Sequence, residues 1–92
     1  MPSLKVHKDI VVGETMVIGD RSLLPVSQTV VIYASDGNIA GAWISPLALV
    51  IADPIGEYCA DLTGQGLTMD KLIEISPGLS EAIKQAREER SL

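Results

Sequence analysis

His7 and Cys59 are the side chains best suited to proton-transfer or nucleophilic chemistry, and each residue type occurs once in the chain. An imidazole titrates near neutral pH, and a thiolate is a strong nucleophile where a neighbouring group favours its formation. His7 lies near the start of the sequence, and Cys59 lies between Tyr58 and Ala60 with no histidine at a spacing that would activate it. We therefore interpret His7 as an exposed imidazole and Cys59 as a buried, inert thiol.

Carboxylates are the second group of residues that could do chemistry, either as an acid–base pair or as metal ligands. They fall mostly at predicted strand ends and turns, at Asp20, Asp36, Asp53, Glu57 and Asp61. The segment Asp36-Gly37-Asn38 superficially resembles a calcium loop, but the glutamate of the twelfth position is missing. We interpret these residues as turn formers. An enzyme in which Asp53 and Asp61 converge in a cleft stays open as an alternative.

The segment Gly64-Gln65-Gly66 precedes a predicted helix, where free backbone N–H groups can hold an anion. The lysine and the serine or threonine of a phosphate-binding loop are absent, and Asp61 and Asp70 flank the segment. The sequence thus predicts no catalytic, cofactor-binding or metal-binding residue and no cofactor, and we expect a protein that is not an enzyme. The alternative is a small-ligand-binding or regulatory domain with a pocket between the sheet and the helices, next to this hinge.

Length and composition limit the class of protein. Ninety-two residues suffice for one domain, and 47% hydrophobic residues without phenylalanine predict an aliphatic core. Twelve acidic and seven basic residues give a net charge of −5, which disfavours binding to nucleic acid. A single cysteine cannot form an internal disulfide, and the sequence shows neither a signal-peptide pattern nor an apolar run of the ~20 residues that span a bilayer. We expect a cytoplasmic protein without a membrane span.

The order of β-branched residues, turn residues and helical periodicity predicts the fold class. We expect a single α+β domain over residues 10–92. In it, an antiparallel β-meander of about four to six strands is followed by two short C-terminal helices that pack on one face. The sheet covers residues 10–62 and the helical segment covers residues 67–91, whereas residues 1–9 are expected to form a flexible N-terminus.

Turn and breaker residues predict where the strands end. Asp36-Gly37-Asn38 is a strong type I′ hairpin signal, because that turn needs positive φ angles. It should join a strand at residues 29–34 to a strand at residues 39–44. Pro25 cannot donate a ladder hydrogen bond and predicts a bulge or break, and Ser45-Pro46 predicts a second interruption.

Helical periodicity replaces strand alternation after residue 66. Thr68 is the predicted N-cap of the first helix. Ser76 and Pro77 are the predicted N-cap and first residue of the second helix, where the missing N–H of proline is tolerated. The apolar positions of this second helix should form one stripe that packs on the sheet, namely Leu79, Ala82, Ile83 and Ala86.

Both faces of the predicted sheet are apolar. In the strand at residues 22–33, Leu24, Val26 and Val30 lie on one face, and apolar residues at odd positions lie on the other. An antiparallel meander normally has one polar face, and two short helices cover only one side. We therefore expect a homodimer, packed sheet against sheet or strand edge against strand edge, or a module that binds a protein partner. The residues predicted to form the interface are Leu23, Val31, Tyr33 and Trp43.

Four segments in combination resemble the GerW (YtfJ-like) family of spore-associated proteins. They are Val12-Gly13-Glu14-Thr15, Gly19-Asp20 with Leu23-Leu24-Pro25-Val26-Ser27, Ile44-Ser45-Pro46-Leu47-Ala48-Leu49-Val50-Ile51, and Met69-Asp70-Lys71-Leu72 with Ser76-Pro77. The likeness covers about residues 11–80, and the chain resembles a divergent member because its central hairpin keeps only Gly37 and Gly41 where the family is Gly-rich. The resemblance implies a small cytoplasmic domain associated with sporulation and spore germination, without established biochemistry or agreed catalytic residues.

Overall fold

The computed structural model describes residues 3–90, over which an antiparallel sheet is followed by two helices. The strands are β1 (Leu4–Val12), β2 (Met16–Ile18), β3 (Arg21–Ala34), β4 (Ile39–Ala52) and β5 (Glu57–Asp61). The helices are α1 (Met69–Ile75) and α2 (Leu79–Arg90). This arrangement confirms the predicted α+β class. Residues 1–2 and 91–92, which the predicted boundaries include, lie outside the described residues.

The sheet is built on β3, which pairs with β1 and β2 on one side and with β4 on the other. Ile18 pairs with Arg21, so Gly19 and Asp20 form a two-residue hairpin loop in which Gly19 has the positive φ that such loops favour. Together β1 and β2 act as one interrupted strand beside β3. The meander ends with β5, which pairs with residues 48–52 of β4.

Pro25 accounts for the interruption between β1 and β2. The Gly13 N–H donates to the Pro25 carbonyl at 2.8 Å, so the Pro25 backbone faces the side of the sheet on which these two strands lie. Because proline has no N–H to donate there, the chain leaves the ladder at residues 13–15. The break predicted at Pro25 therefore falls in the neighbouring strand, and β3 itself continues through Pro25.

β4 contains two irregularities, at Leu47 and at Ala40, which are skipped in the pairing with β3. The interruption predicted at Ser45-Pro46 is wrong, because β4 continues through Pro46 and the first bulge accommodates it. The bulge also changes the direction of the next side chain. Leu47 packs against the core, whereas simple alternation would place it on the face opposite Ala48.

The predicted hairpin between β3 and β4 is confirmed, but its turn is not of type I′. Gly37, at φ 87°, is the one residue of the described turn with a positive φ, and a type I′ turn needs two. The Gly37 N–H donates to the Ala34 carbonyl at 2.9 Å, and Asp36 Oδ1 accepts the Asn38 N–H at 2.9 Å. The connection is thus a longer loop in which a left-handed glycine follows a tight turn.

The sheet starts earlier than predicted. The expectation of a flexible segment over residues 1–9 is wrong for residues 4–9, because β1 begins at Leu4 and pairs there with Ala34 of β3. The long β3 provides a partner for this segment along its whole length. The side chains of residues 4–9 are exposed, and charged residues among them are typical of an edge strand.

The first helix begins as predicted and the second does not. Thr68 has extended backbone angles, and its side chain accepts a backbone N–H of the first helical turn at 3.3 Å, which confirms the N-cap. α2 begins at Leu79 rather than at Pro77, because Gly78, at φ 84°, turns the chain between the helices. Ser76 caps the C-terminus of α1, and its buried hydroxyl has no hydrogen-bond partner among the described residues.

The helices cover only one end of one face of the sheet. The core cluster consists of Leu24, Val26, Ala48, Val50, Leu72, Leu79 and Ile83. Beyond this cluster the first, third and fourth strands continue as an extension, which we call the arm, formed by residues 4–9, 27–34 and 39–46. The molecule is elongated as a result. Its radius of gyration is 16.0 Å, whereas a compact chain of this length has about 12 Å.

Candidate functional site: the open face of the sheet

Alternation along β3 divides its side chains between two faces of the sheet. Leu24 and Val26 belong to the core beneath the helices. Leu23 and Pro25 lie on the opposite face, and none of the described helices packs there. We call this second face the open face.

The open face is mainly apolar, and on the two central strands its polar residues are Ser27 and Thr29 of β3. Its apolar residues on these strands are Leu23, Pro25, Val31, Tyr33, Ile39, Ala42, Ile44, Pro46, Leu49 and Ile51. Lys5, His7 and Asp9 of β1 border it on one side, and β4 contains no charged residue. An apolar centre with a polar border is the usual composition of a protein–protein interface.

Three of the four predicted interface residues lie together on the open face. Leu23, Val31 and Tyr33 occupy odd positions of β3 and are half-buried. Trp43 lies on the other face, because it pairs with Val30, and it is 50% exposed. The structure therefore places Trp43 at a different surface from the other three residues.

The turn between β4 and β5 is organised by Asp53. Its Oδ1 accepts the N–H groups of Gly56 and Ile55, each at 2.9 Å, and its Oδ2 accepts the Tyr58 hydroxyl at 3.2 Å. The hydrogen bonds from Gly56 and Ile55 lower the pKa of the Asp53 carboxyl. This carboxylate acts as a turn former, as interpreted from the sequence.

Arg87 connects α2 to the same turn. Its Nε donates to Glu57 Oε1 at 2.7 Å, and its Nη1 donates to the Asp53 carbonyl oxygen at 2.9 Å. Sequence reasoning missed this contact, because 30 residues separate Arg87 from Glu57 and the mixed charges of α2 are typical of a solvated helix face. The side chain positions the helix against the turn and contributes modestly to stability, since both partners are partly exposed.

Asp61 organises the loop between β5 and α1. Its carboxylate accepts the Thr63 hydroxyl, the Thr63 N–H at 2.9 Å and the Gly66 N–H at 2.8 Å. The Thr63 hydroxyl and then the Thr63 N–H are the main causes that lower the pKa of Asp61 to about 2. The Gly66 N–H, one of the groups that could hold an external anion, therefore already donates to the Asp61 carboxylate.

Asp53 and Asp61 do not form the pair that the enzyme alternative requires. Asp53 precedes β5 and Asp61 ends it, so about 15 Å of strand separates the two turns. His7 lies on β1, beside Val31 in the arm. Within residues 3–90, no group of three or more His, Cys, Asp or Glu side chains is placed to hold a metal ion.

Cys59 is half-buried on the helix side of β5, where its Sγ lies 3.7 Å from the Leu67 carbonyl oxygen. Burial, followed by the nearby charge of Asp61, raises the pKa of the Cys59 thiol. A raised pKa disfavours the thiolate, which is the reactive form. This environment agrees with the interpretation of Cys59 as a structural thiol.

The described residues line two clefts at the helical end of the molecule. The larger, of about 370 Å³, lies between Leu47 and the loop that follows β5, and Lys71 and Ile75 of α1 also line it. The second, of about 320 Å³, lies between the helices and Glu57. The larger cleft occupies the place at which the ligand-binding alternative expects a pocket.

No protein-family model, curated protein or solved structure matches this chain. Over residues 3–90, the helices are too short or too polar for any of them to cross a membrane. The open face and the larger cleft are the features of the molecule from which a function can be inferred.

Proposed function

We propose that this chain is a non-enzymatic module that associates with a second copy of itself, sheet against sheet, through the open face. The observation that carries the proposal is the apolar surface along the 14-residue strands β3 and β4, which no described element covers. The apolar row is unbroken along β4, whereas Ser27 and Thr29 interrupt it on β3, and soluble monomers rarely leave so long an apolar surface in contact with water. Two copies that pack these faces together remove it from water.

The open face has about the area that a stable dimer needs. A strand of 14 residues is about 45 Å long and three strands are about 14 Å wide, so the flat area is roughly 600 Å². Side-chain relief increases this value, and a standard interface buries about 800 Å² on each partner. Sheets packed in this way lie about 10 Å apart with interdigitating side chains.

The arm provides a second reason for association. A three-stranded ribbon without a covering layer buries little apolar surface, and stable domains place such a layer against another. In the arm, Val31 and Tyr33 of β3 and Ile39 and Ala42 of β4 lie on the open face. A second copy packed on this face supplies the layer that the helices provide at the other end of the molecule.

Neighbouring positions of β3 allow a matched test. Val31 and Ile32 are both half-buried residues of the arm, but they lie on opposite faces. We expect Val31→Lys to separate the two faces and halve the mass of the assembly measured by light scattering. Ile32→Lys should leave the mass unchanged, and circular dichroism should show that both variants are folded. A wild-type chain that is monomeric at micromolar concentration would contradict the proposal.

The resemblance to the GerW family supports a further proposal, that this module acts in the cytoplasm during sporulation or spore germination. Deletion of its gene in a spore-forming source organism should delay germination, and the wild-type gene should restore it. If a gene that encodes the Val31→Lys variant fails to restore germination, the role in germination depends on self-association. Normal germination of the deletion strain would contradict the sporulation role.

A second candidate function is small-ligand binding in the cleft of about 370 Å³ beside Leu47. Its volume lies within the range of small-molecule sites, and Lys71 provides one charged group at its wall. A thermal-shift screen of metabolites and metal ions should find a compound that raises the melting temperature of the wild type and not of Lys71→Ala. A screen in which no compound changes the melting temperature would count against this function.

A further inference from the structure

The two long edges of the sheet differ in their protection against pairing with another chain. β1 forms one edge, and its exposed side chains include Lys5, His7, Lys8 and Asp9. Charged side chains on an edge strand discourage the addition of a further strand. The opposite edge consists of β5 and of the part of β4 that β5 leaves unpaired, and that part of β4 has no charged residue.

The unpaired part of β4 is the segment of residues 39–45, which we call the free edge. β5 pairs with β4 only from Ala48 onward, and a last hydrogen bond joins the Leu62 N–H to the Leu47 carbonyl at 2.9 Å. Pro46, which has no N–H, closes the free edge at one end, and the turn before Ile39 closes it at the other.

The free edge is apolar as well as unpaired. Ile39 is 65% exposed and Ile44 is 70% exposed, and Trp43 is half exposed between them. An uncharged, exposed edge of this kind is a template on which another strand can form main-chain hydrogen bonds. The Ala40 bulge is the one protective feature within the free edge among the described residues.

We propose that the free edge pairs, antiparallel and across a two-fold axis, with the free edge of a second copy of this chain. The two sheets then join into one continuous sheet. This edge contact is separate from the sheet-to-sheet contact through the open face, and each of the two can form without the other. The two-fold axis of the edge contact is perpendicular to the sheet, and the two-fold axis of the sheet-to-sheet contact is parallel to it. The two contacts together therefore permit a closed assembly of four copies.

The side chains of the free edge are complementary to themselves in one register. If all seven residues pair, Ala42 is opposite Ala42 of the second copy, and Trp43 is opposite Gly41. No described atom lies within 4 Å of the point at which a Gly41 Cβ would sit, so there is space for the indole ring. An aromatic side chain opposite an edge glycine stabilises strand pairing, and the absence of charge removes like-charge repulsion.

The same register fits the course of β5. On each β4 strand, β5 of the same copy occupies the stretch from Ala48 to Ala52, and the free edge of the second copy occupies residues 39–45. The two neighbours lie in line along one side of β4. Pairing therefore extends over almost the whole strand, which is the arrangement of a central strand rather than an edge.

Cysteine cross-linking tests this register. In a Cys59→Ser background, Ala42→Cys places two thiols opposite each other at a Cα distance of about 4.5–5.5 Å, within the range of a disulfide. The matched control is His7→Cys, which lies in the same row of the sheet and on the same face but at the charged edge. We expect mild oxidation to convert most of the Ala42→Cys protein into a covalent dimer, and little of the His7→Cys protein. A non-reducing gel measures the two yields.

The outcome separates the edge contact from the sheet-to-sheet contact. Sheets packed face to face lie about 10 Å apart, too far for an Ala42 disulfide, so the link should still form when Val31→Lys is added. In a second measurement, Trp43→Asp should halve the mass of the assembly and Val6→Asp should not. Both residues lie on the face away from the open face, but only Trp43 lies on the free edge, where a charge discourages strand pairing. Equal cross-linking at both edges, or none at Ala42→Cys, overturns the edge pairing and leaves the open-face proposal standing.

Discussion

At Asp61, a carboxylate of the chain satisfies the N–H groups of the loop between β5 and α1. The pKa of this carboxyl falls from 3.8 in its ordinary state to about 2 in the folded protein. The unfolded chain therefore binds more protons than the folded one between these two values. It follows that the contribution of Asp61 to stability is complete above pH 4 and is lost as the pH falls towards 2.

Replacement of this carboxylate should flatten the acid limb of the stability curve. We expect Asp61→Asn to lower the melting temperature at pH 7 and to reduce the slope of unfolding free energy against pH between pH 4 and pH 2, because the titrating group is gone. Urea denaturation at several pH values measures this slope. Gln65→Ala changes an exposed residue of the same loop without removing a titrating group, so it is the control and should keep the wild-type slope. An unchanged slope in Asp61→Asn would contradict the assigned role.

Gly13 lies where the chain passes close to Pro25. A Cβ atom on residue 13 would lie 2.9 Å from the Pro25 Cγ, which is closer than carbon atoms pack. Gly13→Ala should therefore destabilise the protein by about 1–3 kcal/mol, as overpacking does. Gly56→Ala is the control, because no described atom lies within 4 Å of its Cβ position. Chemical denaturation at one fixed protein concentration compares the two, and equal stabilities would contradict the close contact.

Single residues differ in how far their roles can be predicted from the sequence. The N-cap Thr68 is predictable, because its hydrogen bond is made within the first turn of its own helix. The role of Arg87 is not, since its partners Glu57 and Asp53 become neighbours only when α2 packs beside the turn after β4. Asp61 lies between these cases: its turn function is evident, but its contact with Gly66 depends on the path of the loop.

At the scale of the element, α2 contributes to the core mainly through Leu79, which is fully buried. Leu79→Ala should lower the free energy of unfolding by about 2–5 kcal/mol, because it removes buried surface and leaves a cavity. Leu4→Ala is the same chemical change on an exposed edge strand and should have little effect, since Leu4 is 61% exposed. Urea denaturation of both variants tests this difference. Equal losses would contradict the assignment of the core to the helical end.

The elements themselves follow largely from local signals. The change from a period of two to a period of 3.6 residues separates the sheet from the helices, and the hairpin at residues 35–38 follows from its turn residues. The errors in the extent of the strands occur at proline and at the edge. Pro46 is accommodated by a bulge within β4, and the charged β1 pairs because β3 is long enough to hold it. Neither feature can be predicted from the residues of β4 or β1 alone, since both depend on pairing with the neighbouring strand β3.

At the scale of the molecule, the helical end and the arm differ in what stabilises them. The sequence indicates two apolar faces, and the structure agrees, but the limited reach of the helices depends on tertiary packing. The helices bury the core cluster at one end only. In the arm, Val30 is the buried apolar residue among those described. We infer that the arm depends on a second copy for stability, whereas the helical end does not.

Hydrogen exchange can test this dependence directly. A contact that only the associated state makes stabilises by mass action, so protection that relies on it must rise with protein concentration. We expect amide exchange in residues 27–34 and 39–45 to slow as the chain is concentrated from nanomolar to high micromolar, while exchange in α2 and in residues 48–52 stays constant. Val31→Lys, which separates the open faces, should reduce the concentration dependence in the arm and leave the helical end unaffected. Exchange in the arm that is slow at every concentration would mean that the three strands are stable alone, and the physical reason for association would then be lost.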